Sequence, residues 1–96
     1  MAYGVSTKIP FRMVDETDFS TPETGVTGIT VTLSLDCASF VAATNSVYEI
    51  GLGFYYVELT TTEAKASTII MRAVGAGCAE TIVPISTSYK GSMRGV

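Results

Sequence analysis

The chain has no histidine and no tryptophan among its 96 residues. Histidine is the commonest general base and the commonest metal ligand at neutral pH, so its absence strips the usual catalytic and metal-binding chemistry of its central part. Cysteine is scarce. Cys37 and Cys78 stand far apart, in neither a CxxC nor a zinc-ligand spacing. No apolar run approaches the roughly 18 residues of a membrane span. The opening residues lack a basic start followed by an apolar stretch, so no signal peptide is expected. The expected setting is a reducing cytosol until assembly or release, with both thiols free. Positive charge is also short: the net charge is −3 and the pI about 4.6. Phosphate neutralisation needs clustered Lys and Arg, so nucleic acid is not the expected partner.

Charged residues make up 16% and apolar residues 47%. That is too apolar for a disordered tail, and the length suits a single domain, residues 1–96. The charges are segregated. Eight acidic residues (Asp15, Glu16, Asp18, Glu23, Asp36, Glu49, Glu58, Glu63) occupy the middle without one basic residue between them. Lys8, Arg12, Lys65, Arg72, Lys90 and Arg94 lie on either side. This distribution serves solubility, and it also suits head-to-tail association of copies.

With 14 Thr, 9 Ser and 9 Gly, the composition favours pleated strands separated by turns. Period-two alternation locates the strands. Ser6 to Val14 puts Ile9, Phe11 and Met13 on one side. Pro10 on the other cannot donate to a ladder, which predicts an edge strand or a bulge. The stretch Asp15–Gly28 reads as a long loop whose aspartates close Asx-turns. Ile29 to Leu35 alternates apolar and hydroxyl residues. Phe40–Ala42 and Val47–Ile50 are short strands. In Phe54–Thr60, Tyr55, Val57 and Leu59 belong to the core, leaving Phe54 and Tyr56 outside with Glu58. Thr60 and Glu63 have capping-box spacing, which predicts a short helical turn over 61–66. Thr68–Val74 and Thr81–Ile85 complete the set. Six to eight short strands with almost no helix imply an all-β sandwich. Residues 1–7 read as an N-terminal arm and 87–96 as a C-terminal tail.

Catalytic candidates are weak. Asp15, Glu16 and Asp18 lack the ligand count and glycine placement of a calcium loop. Asp36, Cys37 and Ser39 have no histidine to act as base. Glu49 and Glu58 more simply solvate strand edges than form a carboxylate pair. Gly75-Ala76-Gly77 lacks the phosphate-loop pattern. The expectation is no enzyme, no metal and no cofactor. The recognition candidates are Tyr48, Phe54 and Tyr56 as an aromatic patch, with Tyr3 and Val5 on one arm and Tyr89 and Met93 on the other.

One resemblance runs through most of the chain, from Ile9 to Ile85. Phe11, Val14, Asp15, Asp18, Thr21, Pro22, Thr24 and Gly25 stand in order. Thr30-Val31-Thr32 leads a strand, Glu49-Ile50-Gly51 precedes Gly53-Phe54-Tyr55, and Val57-Glu58-Leu59-Thr60 is followed by Glu63. This pattern resembles a small immunoglobulin-like module of tailed-bacteriophage and prophage virion proteins. Phe54 stands where that family commonly has Trp, and Asp36-Cys37 where its hairpin usually has Gly. The resemblance implies an immunoglobulin-like sandwich in a virion: tail, baseplate, collar or capsid exterior. Its partners would be other virion proteins and copies of itself, made in the host cytoplasm, with no catalytic residues. The alternative on the same scaffold is host attachment through a cell-surface glycan. Gly53, Tyr55 and Val57 are also similar to the tyrosine-corner spacing, which implies a buried ring whose hydroxyl bonds backbone.

Overall fold

The computed structural model describes residues 1–87. Seven strands follow in chain order: β1 (Thr7–Arg12), β2 (Thr30–Leu35), β3 (Val41–Ala42), β4 (Val47–Gly51), β5 (Phe54–Leu59), β6 (Thr68–Val74) and β7 (Thr81–Ser86). They form two antiparallel sheets, ordered β1-β5-β4 and β3-β2-β6-β7. The alternating residues meet between them. Ile9, Phe11, Met13, Tyr55, Val57 and Leu59 on one side face Val31, Leu33, Ile69, Met71 and Ala73 on the other in one buried core. The fold is an all-β sandwich.

Each strand buries alternate residues because its sequence alternates, so the register is fixed by burial. A one-residue slip in β5 would put Tyr56 and Glu58 inside and Tyr55 and Val57 in water. Strand order is a tertiary matter. In a seven-stranded immunoglobulin sandwich the second strand lies between the first and the fifth. Here β1 pairs directly with β5, and β2 sits in the other sheet between β3 and β6.

The flanks of the sandwich differ. On one flank β1 and β7 approach each other, and the Thr81 hydroxyl donates to the Arg12 carbonyl at 2.8 Å. Both are edge strands, and both contain a proline, Pro10 and Pro84. A proline on an edge removes a donor that a foreign strand would use. The opposite flank is made by β4 and the two-residue β3, neither of which contains proline.

Two expectations change. Residues 61–66 hold no helix. The Ala64 N–H bonds the Thr60 carbonyl at 3.0 Å and the Lys65 N–H the Thr62 carbonyl at 3.1 Å, and these turn bonds do not extend into a helix. The Ala64 carbonyl instead accepts the Gly4 N–H at 3.0 Å, and the Thr68 N–H is taken by Asp36. The partners that a second helical turn needs are engaged elsewhere. Nor are residues 1–7 a free arm. That Gly4 bond ties the segment to the domain, Met1 packs against the core, and Thr7 already belongs to β1.

The β2–β3 hairpin turns at Asp36 and Cys37, with φ of 52° and 65°. Ala38 N–H bonds the Leu35 carbonyl at 3.0 Å across them. Two successive positive φ values are the type I′ requirement, which explains why glycine is the usual residue at such a turn. Asp36 adds a reason for its own presence: one carboxylate oxygen accepts the N–H groups of Ser67 and Thr68 at 2.9 and 3.2 Å.

Candidate functional site

The outward side of the three-stranded sheet gathers the aromatic candidates. The register aligns Pro10, Tyr56 and Tyr48 in one row across β1, β5 and β4, and pairs Arg12 with Phe54 in another. Tyr48 and Tyr56 stack with centroids 5.6 Å apart and planes at 29°. The β1 cations cover the same rings: Lys8 Nζ lies 5.3 Å from the Tyr56 centroid and the Arg12 guanidinium 5.8 Å from that of Phe54. Cross-strand pairs of this kind hold the rings in place on the sheet.

This surface remains exposed. Tyr48 is 58% and Phe54 44% accessible. Two neighbours that the alternation pattern does not single out enlarge it. Ile50 sits at the β4 bulge, 60% accessible, and Leu52 forms the tip of the β4–β5 hairpin, 81% accessible. Leu52 holds φ at 56°, a conformation unfavourable for a branched side chain. The Gly-Leu-Gly sequence is the signal that could have revealed it, since an apolar residue between two glycines at a turn has no inward side to choose. Gly53 is required here. It adopts φ of 84°, and a Cβ at that position would come within 2.8 Å of the Pro22 Cβ.

The long loop is anchored to the same end of the molecule. Arg12 Nη2 donates to the Ser20 carbonyl at 3.3 Å, and the Met13 N–H to the Gly53 carbonyl at 2.8 Å. Asp15 and Asp18 close Asx-turns: Asp15 accepts the Thr17 N–H at 2.7 Å, and Asp18 accepts Ser20 and Thr21 at 2.8 and 2.9 Å. The Thr21 hydroxyl and these N–H groups lower the Asp18 carboxyl to about 2. Thr17 likewise lowers Asp15. The aspartates thus serve the loop's own backbone, and among the described residues no group of three His, Cys, Asp or Glu could hold a metal ion.

Tyr55 fixes the far end of that loop. Its ring is buried and stacks on Phe11, while its hydroxyl donates to the Glu23 carbonyl at 2.7 Å and accepts the Val26 N–H at 3.0 Å. Val26, Thr27, Gly28 and Ile29 then line one wall of a cleft of about 380 Å³; Val47, Glu49 and Tyr55 line the other. Glu49 points into this cleft side and accepts the Gly25 N–H at 3.1 Å. Glu58 belongs to the outward row and accepts the Ser6 hydroxyl at 3.0 Å. The two carboxylates therefore face opposite sides of one sheet.

The remaining candidates disperse. Val5 is exposed and Tyr3 half-buried. Tyr89 and Met93 lie outside the described residues. Cys37 is an exposed free thiol at the hairpin tip, and Cys78 a buried free one. Burial, then the charges of Glu23, Glu16 and Asp15, raises the Cys78 thiol above its ordinary value. Comparison of the chain with protein-family models, with curated proteins and with solved structures finds no match.

Proposed function

We propose that the chain is a non-enzymatic structural module of a tailed-phage virion that works by docking its outward β1-β5-β4 surface onto other protein. The observation that carries this is the exposed cluster of Tyr48, Ile50, Leu52 and Phe54 on one small sheet, beside the Tyr48–Tyr56 stack. Exposed apolar groups in a contiguous patch mark interaction surfaces more than stability devices. Aromatic rings are the residues that dominate interface energetics.

The virion setting rests on the sequence resemblance alone; strand order bears only on the immunoglobulin-like part of that reading. If the loop from Asp15 to Ile29 takes the place of strand B, then β1-β5-β4 reads as A-E-D and β3-β2-β6-β7 as C′-C-F-G. The module is then immunoglobulin-like with one strand replaced by a loop. Partners are copies of the chain or larger virion proteins, and the working location is the assembled particle after synthesis in the host cytoplasm.

Sedimentation of the purified chain beside a Tyr48→Ser/Phe54→Ser/Tyr56→Ser variant tests the docking surface. The expected result is concentration-dependent association of the native chain that the variant loses while keeping its β-sheet circular dichroism. Equal association of both overturns it. A second reading, glycan attachment, is favoured by the exposed Tyr48 ring beside Tyr56, since such a pair offers a stacking platform to a sugar face. Reproducible glycan-array binding that disappears in Tyr56→Ala selects that reading.

A further inference from the structure

The flank formed by β3 and β4 is built differently from its opposite. Prolines in β1 and β7 blunt the first flank, and the Thr81–Arg12 bond holds it closed. On the second flank β4 pairs with β5 alone among the described strands. Beside it runs the cleft between Val47, Glu49 and Tyr55 on the sheet and Val26, Thr27 and Ile29 on the loop. Its lining is part apolar and part polar, with a carboxylate at the wall.

Charge indicates what fits there. Among the described residues Glu49 has a backbone N–H for a partner and no cation. None of the described basic residues pairs with Glu49. Lys8 and Arg12 lie over rings on the outward side, Arg72 pairs with Glu80, and the Lys65 stem lies against Gly4. The basic residues left over are Lys90 and Arg94, in the segment Ser-Tyr-Lys-Gly-Ser-Met-Arg-Gly-Val of residues 88–96. That segment has no acidic residue. It repeats one apolar-then-basic pair, Tyr89-Lys90 and Met93-Arg94, at a spacing of four.

We infer that the cleft beside β4 receives residues 88–96 of a second copy, with Tyr89 and Met93 as the apolar anchors and Lys90 and Arg94 as the counter-charge to Glu49. The inference rests on the reading that copies of the chain dock on one another, and it names a contact distinct from the aromatic surface. Reach favours a second copy over the same chain. Nine residues span at most about 30 Å. Travel from β7 to β4 crosses the four-stranded sheet and the gap between sheets, with strands about 4.8 Å and sheets about 10 Å apart. Too few of residues 88–96 then remain to lie along β4. A neighbouring molecule meets no such limit.

Reciprocal charge reversal in the full chain tests this. Sedimentation equilibrium is run on the native protein, Glu49→Lys, Lys90→Glu/Arg94→Glu and the combination of all three. The expected result is association weakened by about tenfold in either partial variant and restored in the combined one, as complementary charges require. A synthetic peptide of residues 88–96 added to the native chain should compete with association. The peptide result stands even if Glu49→Lys fails to fold. A native chain that stays monomeric, partial variants that associate like the native chain, or a combined variant that stays weak overturns the inference. If the aromatic triple variant abolishes association while every charge variant retains it, the docking reading stands and the cleft contact falls.

Discussion

One oxygen of the buried Glu63 carboxylate accepts both the N–H and the hydroxyl of Thr44, at 2.9 and 3.1 Å. The other accepts the Thr60 N–H at 2.8 Å. Glu63 thereby joins the β3–β4 link to the β5–β6 link. Its two jobs differ in range: Thr60 is a local cap, whereas Thr44 is a tertiary contact that positions the start of β4.

Replacing Glu63 by Ala should cost about 1–2 kcal/mol, because it removes the carboxylate that accepts the Thr44 and Thr60 N–H groups at once. Glu63→Gln keeps an acceptor for part of the set and should cost less. Urea unfolding monitored by circular dichroism checks the order. Equal stability of Ala and Gln variants would show that the carboxylate is not the clamp.

Cys37→Gly should stabilise the protein. The native φ of 65° is unfavourable for a residue with a Cβ and neutral for glycine. The gain is partly offset by the greater freedom of glycine in the unfolded chain, leaving a net increase of about 0.5–1 kcal/mol. A lower unfolding midpoint in the variant would contradict the turn geometry.

Asp18 should titrate about 2 in the folded protein, held down first by the Thr21 hydroxyl and then by the Thr21 and Ser20 N–H groups. The folded value lies below the ordinary carboxyl value. Its contribution is therefore complete above the unfolded value and disappears as pH falls toward 2. Carboxyl-carbon NMR during an acid titration reads this directly. A midpoint near 4 for Asp18 would mean that the Asx-turn is not formed.

Tyr55→Phe keeps the buried ring and removes both loop bonds. The expected loss is about 1–2 kcal/mol, since the Glu23 carbonyl and Val26 N–H lose a shared partner. Hydrogen exchange at Val26 should speed up while that at Val57 stays slow. Unchanged exchange at Val26 would sever the proposed tie between loop and sheet.

Alternation told the faces of strands apart because burial acts residue by residue. Tyr55, Val57 and Leu59 are buried, and Pro10 does lie on an edge strand. The Asx-turns and the Thr60–Glu63 exchange were equally legible, since donor and acceptor are within three residues. Partners far along the chain were not. Thr44 lies 19 residues from Glu63 and Glu23 lies 32 from Tyr55, and nothing local encodes such a meeting. The sheet that β2 joins was illegible for the same reason. Leu52 was overlooked because a turn residue has no partner face to betray it, and Gly4 because its bond to Ala64 spans most of the chain.

The prolines in β1 and β7 give the molecule a direction. With one flank blunted, two units that met through their open flanks would be related by a two-fold axis and close as a pair. Growth into a ring or a helix would need a contact between two unlike surfaces instead.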